Sequence, residues 1–314
     1  MSLMASGLSL LFLSGSAFAH EGAGAAATAD GGWSFDPWLV IPLCIAAILF
    51  AIGTRSLWRR AGPGRGIAYW QVACFFVAWL MLTIALISPF HQLAERLLTA
   101  HMIEHEMIMA VAAPLVILSR PLVAFIWATP IAVRRWCGSL IGLRPVVAVL
   151  AVVADASAAT ALHIGTVFAW HAPRLFDAAI EVPALHKLQH VSFLATALLF
   201  WWAVLRLPSR QHGSAALHLF AIMMAMSLLG ALLTLAPHAV YAAYSSPRLG
   251  FTALQDQQLA GLMMWIPGCA VYAVATLALL ASWIRSSGRA LRASHYQAAG
   301  PIEARPNFGK RSMA

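Results

Sequence analysis

The sequence predicts an all-α membrane protein: a bundle of seven spanning helices with the N-terminus outside and the C-terminus inside. Three observations carry this reading. Of the 314 residues, 61% are hydrophobic. Only 10% are charged, against roughly 25% in a soluble globular domain. Seven apolar runs each approach the ~20 residues that a helix needs to cross a bilayer. They are Trp38–Thr54, Ile67–Ser88, Thr99–Ser119, Val146–Trp170, Leu185–Leu205, Ala215–Pro237 and Leu259–Ile284. Pro121–Val133 is a weaker run, too short to span, and reads as an interfacial or re-entrant piece.

Taken in order, the chain opens with a short apolar stretch, Leu3–Ala19, that ends Ala17-Phe18-Ala19. An A-x-A ending of this kind is the mark of a secretory signal peptide, so residues 1–19 are read as one, although the usual basic start is missing. Cleavage there would leave His20 at the new N-terminus, where amine and imidazole together can chelate a metal ion. Residues 20–37 read as a flexible segment outside the membrane, 38–284 as the spanning domain and 285–314 as a basic tail inside it.

The basic residues set the orientation, since short cytoplasmic loops collect Lys and Arg. One set of loops, with the tail, holds 16 of the 20 basic residues, among them Arg55, Arg59, Arg60, Arg134, Arg135 and Arg210. The opposite loops hold only Arg96, Arg174, Lys187 and Arg248. This placement, in loops between apolar runs, argues against nucleic acid as the reason for the net charge of +9 and makes the lipid bilayer the chain's surroundings. The four cysteines form no CxxC pair and read as small buried apolar residues.

The histidines sort to one side. The topology puts His91, His101, His105, His171, His186, His190 and His238 at or near the outer face, and His163 two turns below the outer end of the fourth run. His101 and His105 stand four apart at the polar start of the third run, in AHMIEHEM, so on a helix they share one face. His186 and His190 repeat that spacing at the start of the fifth run, in LHKLQHVSF. A histidine at a wet helix end is more often a plain polar residue than a ligand. Two such pairs at one depth, with His163 and His171 on a third helix, make a shared metal site the stronger reading. Imidazole suits copper, zinc or haem iron, and a thioether such as Met102 narrows the choice toward Cu(I). Candidate metal ligands are therefore His101, His105, His163, His171, His186, His190 and Met102. Capture by neutral imidazole should weaken below about pH 6.5.

Other buried groups carry less. Asp155, inside the fourth run, is expected to face the bundle and find a partner such as Ser157 or Thr160, because an ionised carboxylate there costs roughly 2.5–3.5 kcal/mol. Asp256 reads as an acceptor at the outer surface, Gly261 as a point of close helix approach, Pro267 as a kink, and Trp201-Trp202 as part of an interfacial aromatic belt. There is no activated nucleophile with a base and no H-E-x-x-H, so an enzyme is not expected.

With these motifs in place, the chain resembles the CtaG family of cytochrome c oxidase assembly factors, seven-span proteins of bacterial plasma membranes. The resemblance rests on SPF followed by AHMIEHEMIMAVAAPLVIL (Ser88 to Leu118), FAWHAPRLFDAAI (Phe168 to Ile180), LHKLQHVSFLATALLFWW (Leu185 to Trp202) and DQQLAGLMMW (Asp256 to Trp265). It implies a role in building a haem–copper oxidase by delivering copper to it, with oxidase subunits and periplasmic copper chaperones as partners. The family's histidine motifs fall on His101, His105, His171, His186 and His190; His163 comes from spacing alone. The rivals are a b-type haem protein ligated by paired histidines, a transporter with Asp155 and His163 along its path, and a scaffold whose histidines only hydrogen-bond.

Overall fold

In the computed structural model, residues 32–153, 155–246 and 249–298 are described. The signal-like segment 1–19, His20 and the end of the tail from residue 299 lie outside them. Everything below concerns the unit that begins at Trp33.

Every regular element among the described residues is helical. In chain order they are α1 (Pro37–Ala61), α2 (Tyr69–Leu86), the short α3 (Pro89–Ala94) and α4 (Leu98–Ser119), then α5 (Pro121–Ala128), α6 (Ile131–Ile141), α7 (Arg144–Val153) and α8 (Ala156–Trp170). α9 (Pro173–Glu181), α10 (Pro183–Leu205), α11 (His212–Thr234) and α12 (Ala253–Ala298) follow. Six helices among the described residues are long and apolar enough to cross a membrane: α1, α2, α4, α10, α11 with the turn before it, and α12. Each matches a run read from the sequence. Their outer faces remain apolar, as with Ile41, Ile45, Ile48 and Ile52 along α1, because lipid requires no polar cover while the helix satisfies its own backbone.

The expected fourth span is the exception. It is split into α7 and α8, and Asp155 sits at the break as the N-cap of α8, its Oδ1 accepting from the amides of Ser157 at 3.0 Å and Ala158 at 2.9 Å. Asp155 is exposed, so the expectation that it faces the bundle is corrected. An aspartate satisfies helix N-terminal amides better than it fills a helix interior. Pro121–Val133 likewise resolves into a structure: after a left-handed turn at Arg120 (φ 55°), α5 folds back onto α1. Gly53 makes that contact possible, because a Cβ there would overlap the Ala124 carbonyl. Phe50, Phe75 and Ile67 complete this small core.

α11 and α12 approach as closely. A Cβ on Gly230 would lie 2.7 Å from the Gly261 carbonyl, and one on Gly261 would lie 2.6 Å from the Gly230 carbonyl. Small residues substitute for bulk where two backbones must meet. Two of the spanning helices also widen into a π turn, α4 at Met107–Ala112 and α12 at Met264–Gly268, the latter containing Pro267. A π turn displaces backbone carbonyls from the regular ladder. Trp201 takes one of them, donating from Nε1 to the Met109 carbonyl at 3.0 Å. Trp201 is 2% exposed and stacks on Tyr272, so it belongs to the core and not to an interfacial belt; Trp202 instead carries Arg206 over its ring.

Because the Gly53 contact is backbone on backbone with no room to relax, Gly53→Val should lower stability by about 1–3 kcal/mol, the usual cost of overpacking. Gly138→Ala, where an added Cβ meets nothing within 4 Å, should be neutral. Thermal unfolding of both variants in detergent checks the contrast.

Candidate functional site

The start of α4 is held by another helix. Asp256, in the first turn of α12, accepts from the Leu98 amide at 2.8 Å and the Thr99 amide at 3.0 Å, and from Thr99 Oγ1 at 2.7 Å. It is 6% exposed. The reading of Asp256 as a surface acceptor is thus replaced by that of a cap, supplied in trans, for the orphan amides at a helix N-terminus. Gln257 beside it bonds the Leu233 and His238 carbonyls and the Val240 amide. The first turns of α4 therefore have a defined place, and the i, i+4 pair on them points inward.

His101 and His105 have ring centroids 4.3 Å apart; His186 and His190, on α10, are 4.5 Å apart. The two pairs face each other rung to rung. His101 lies 5.4 Å from His186, and His105 lies 5.4 Å from His190. An imidazole nitrogen sits about 2 Å from a bound ion, which puts two rings sharing one roughly 5 Å apart. His171, at the end of α8, stands 6.0 Å from His105. Its Nδ1 donates to the Val167 carbonyl at 2.7 Å, which in the neutral ring leaves the lone pair on Nε2. That Nε2 faces Met102 Sδ at 3.4 Å.

The cluster is dry. His101 and His105 are 0% and 1% exposed, with Phe176 and Phe193 against them. Both ring nitrogens of each, and Nε2 of His186 and His190, are buried without a hydrogen-bond partner. A buried polar atom left unsatisfied costs about 1–3 kcal/mol, and such groups mark the place of an ion or water. The donor set is therefore the right chemistry for a borderline or soft cation. It is gathered without being closed: among the described residues no three His, Cys, Asp or Glu side chains already surround one point. Rotation of one or two rings about χ angles would be needed to close it.

Two buried carboxylates, one of them at the cluster, were not among the expected ligands. Glu104, fully buried, lies 3.0 Å from His190 Nε2, within ion-pair reach though not aligned as a hydrogen bond. It also binds His91 Nδ1 at 3.1 Å. Burial opposes the charged form of His91, but Glu104 outweighs it and holds the His91 pKa above the ordinary imidazole value. Glu104 lies one residue before His105, so no periodicity separates its role from that of an ordinary helix-end acid. Glu106 is the second. Its two oxygens are buried without a partner, packed where a Cβ on Gly268 would lie 2.7 Å from the carboxyl carbon.

His163 stands apart from the other candidates. Its Nδ1 meets Thr196 Oγ1 at 2.9 Å and its ring stacks on Phe200, with no ring contact to the cluster. His212 and His218 are engaged elsewhere, with Ser282 and Thr160. The structure therefore brings together His101, His105, His171, His186, His190 and Met102, adds His91 and Glu104, and leaves His163 out. The five histidines that the motifs carried are the five that meet; the one placed by spacing alone does not.

No curated protein and no solved structure matches the chain. A family model does, that of the cytochrome c oxidase caa3 assembly factor (Caa3_CtaG), over residues 48–286, which takes in every residue of the imidazole cluster. The chain belongs to that family of assembly factors.

Proposed function

We propose that this assembly factor captures copper at the imidazole cluster and hands it to a haem–copper oxidase. The observation that supports this is the set of buried, unpartnered ring nitrogens on His101, His105, His186 and His190, beside an imidazole–thioether pair at His171 and Met102. Copper is here the cargo. His101 and His105 hold it from α4, His186 and His190 from α10. His171 and Met102 offer the soft donors that favour Cu(I). Glu104 holds His91 at Nδ1, as carboxylates do for imidazoles near a metal site, and stands 3.0 Å from His190 Nε2 at the edge of the cluster. A site that closes only by ring rotation suits a carrier, which must release what it binds. Haem is less well accommodated among His101 and His105, because those rings are packed against each other and against Phe176 and Phe193. A transport path through Asp155 loses its carboxylate to the α8 cap.

The same reading places the chain in a bacterial plasma membrane. α7 and α8 together form a seventh, broken span, the cluster faces the periplasm, and the C-terminus lies inside. Periplasmic copper chaperones then supply the ion, and oxidase subunits receive it.

Anaerobic titration with Cu(I) against a coloured chelator tests the site. The paired substitution His101→Ala with His105→Ala should weaken binding at least tenfold while gel filtration in detergent stays unchanged; His163→Ala should bind as the unmodified chain does. Equal copper binding by the folded double variant would reject the site. A reporter active only in the periplasm, fused after Arg292, should be silent; activity there would reverse the orientation.

A further inference from the structure

A cavity of about 670 Å³ opens between α1, α2 and α10. Its long wall is apolar, formed by Leu43, Phe75, Trp79, Leu82, Leu194 and Leu198. At one end the lining changes character, to Asp36, Lys187, His91, Glu95, His186 and His190. A pocket divided in this way fits an occupant divided likewise, with an apolar tail and a polar head. Size separates the occupants available in a membrane. A spanning helix is about 10 Å across and 30 Å long, or roughly 2,000 Å³, far more than this space; a ligand pocket commonly measures about 300–1,000 Å³.

Charge then separates the heads. Lys187 Nζ is committed to Asp36 Oδ2 at 2.6 Å, and that hydrogen bond holds the Asp36 carboxyl below its usual pKa. His91 is committed to Glu104. Among the described residues no uncommitted lysine or arginine lines the polar end to receive a phosphate. His190 Nε2 faces the Glu104 carboxylate at 3.0 Å, and the Glu95 carboxylate at this end repels an anionic head; His186 Nε2, buried and without a partner, can donate one hydrogen bond to a neutral acceptor.

We propose that the cavity binds a membrane quinone: the tail lies along Trp79, Leu82 and Leu194, and a ring carbonyl accepts from His186 Nε2. The cavity would take a quinone whether or not the imidazoles bind copper. One nitrogen cannot both donate to a carbonyl and hold an ion, so quinone occupancy belongs to the metal-free protein.

The test uses the full chain, metal-free, in nanodiscs, titrated with decyl-ubiquinone and read by quenching of tryptophan fluorescence. Saturable quenching is expected, reduced in Trp79→Phe. Leu82→Phe with Leu194→Phe, which fills the wall, should weaken binding at least tenfold. His186→Ala should weaken it several-fold, and His186→Gln, which keeps a donor, should restore it. Circular dichroism confirms that each variant is folded. Quenching that only follows partition into the bilayer would overturn the proposal, as would saturable quenching indifferent to the wall variant. Saturable quenching by a brominated phospholipid that the quinone does not displace would make this a lipid site and overturn it equally.

Discussion

The arrangement of this protein depends on one carboxylate. Asp256 reaches from α12 to the first amides of α4, where a helix ends inside an apolar bundle and water is not at hand to satisfy it. The contact settles the position of α4 along and about its own axis at the end where His101 and His105 project. If the cap were missing, the helix start could move, and a displacement of one residue would carry each imidazole about 100° around the helix. Tyr244, donating to the Ala94 carbonyl at 2.7 Å, and Tyr241, donating to the His171 carbonyl at 3.0 Å, fasten the neighbouring segments to the same end. The cluster is thus positioned by hydrogen bonds to backbone and not by bonds among its own rings.

Below the cluster, the two π turns lie on the two helices that Asp256 joins. A π turn rotates the residues that follow it relative to a regular helix, and here each has a visible compensation. Trp201 accepts the task of satisfying the Met109 carbonyl in α4. Gly268, in α12, leaves the space that the Glu106 carboxyl occupies. On the same helix as Gly268, the Tyr272 hydroxyl is also buried without a partner. The polar interior therefore continues from the imidazoles into the bundle, with ligand-type atoms unsaturated along it. An interior meant only to be stable would have been built apolar.

The cluster also meets the membrane sideways. His91 and His186 line both the imidazole site and the apolar cavity between α1, α2 and α10. A molecule in the cavity would therefore reach the edge of the cluster at His91, His186 and His190. The Asp36–Lys187 contact closes the polar end of that cavity and joins the start of α1 to the start of α10.

Much of this was legible in the residues themselves. Apolar runs near the length of a bilayer located the six long helices, because a spanning segment must be both continuous and unpaired with water. The i, i+4 spacing of His101 with His105 and of His186 with His190 put each pair on one face, because helical geometry is local. Spacing does not say which faces meet, and so it groups His163 with the other candidate ligands although its ring lies against Thr196 and Phe200 and not against the cluster. Asp155 and Asp256 misled for the same reason: an aspartate in or beside an apolar run has the same letter whether it faces a partner, caps its own helix or caps another. Local pattern located the six long helices and the faces that carry imidazole, but it counted a seventh continuous run where the chain breaks at Asp155. The tertiary structure alone decided which of those faces converge, because that choice is made by contacts between residues more than 150 positions apart, and no periodicity within one helix records them.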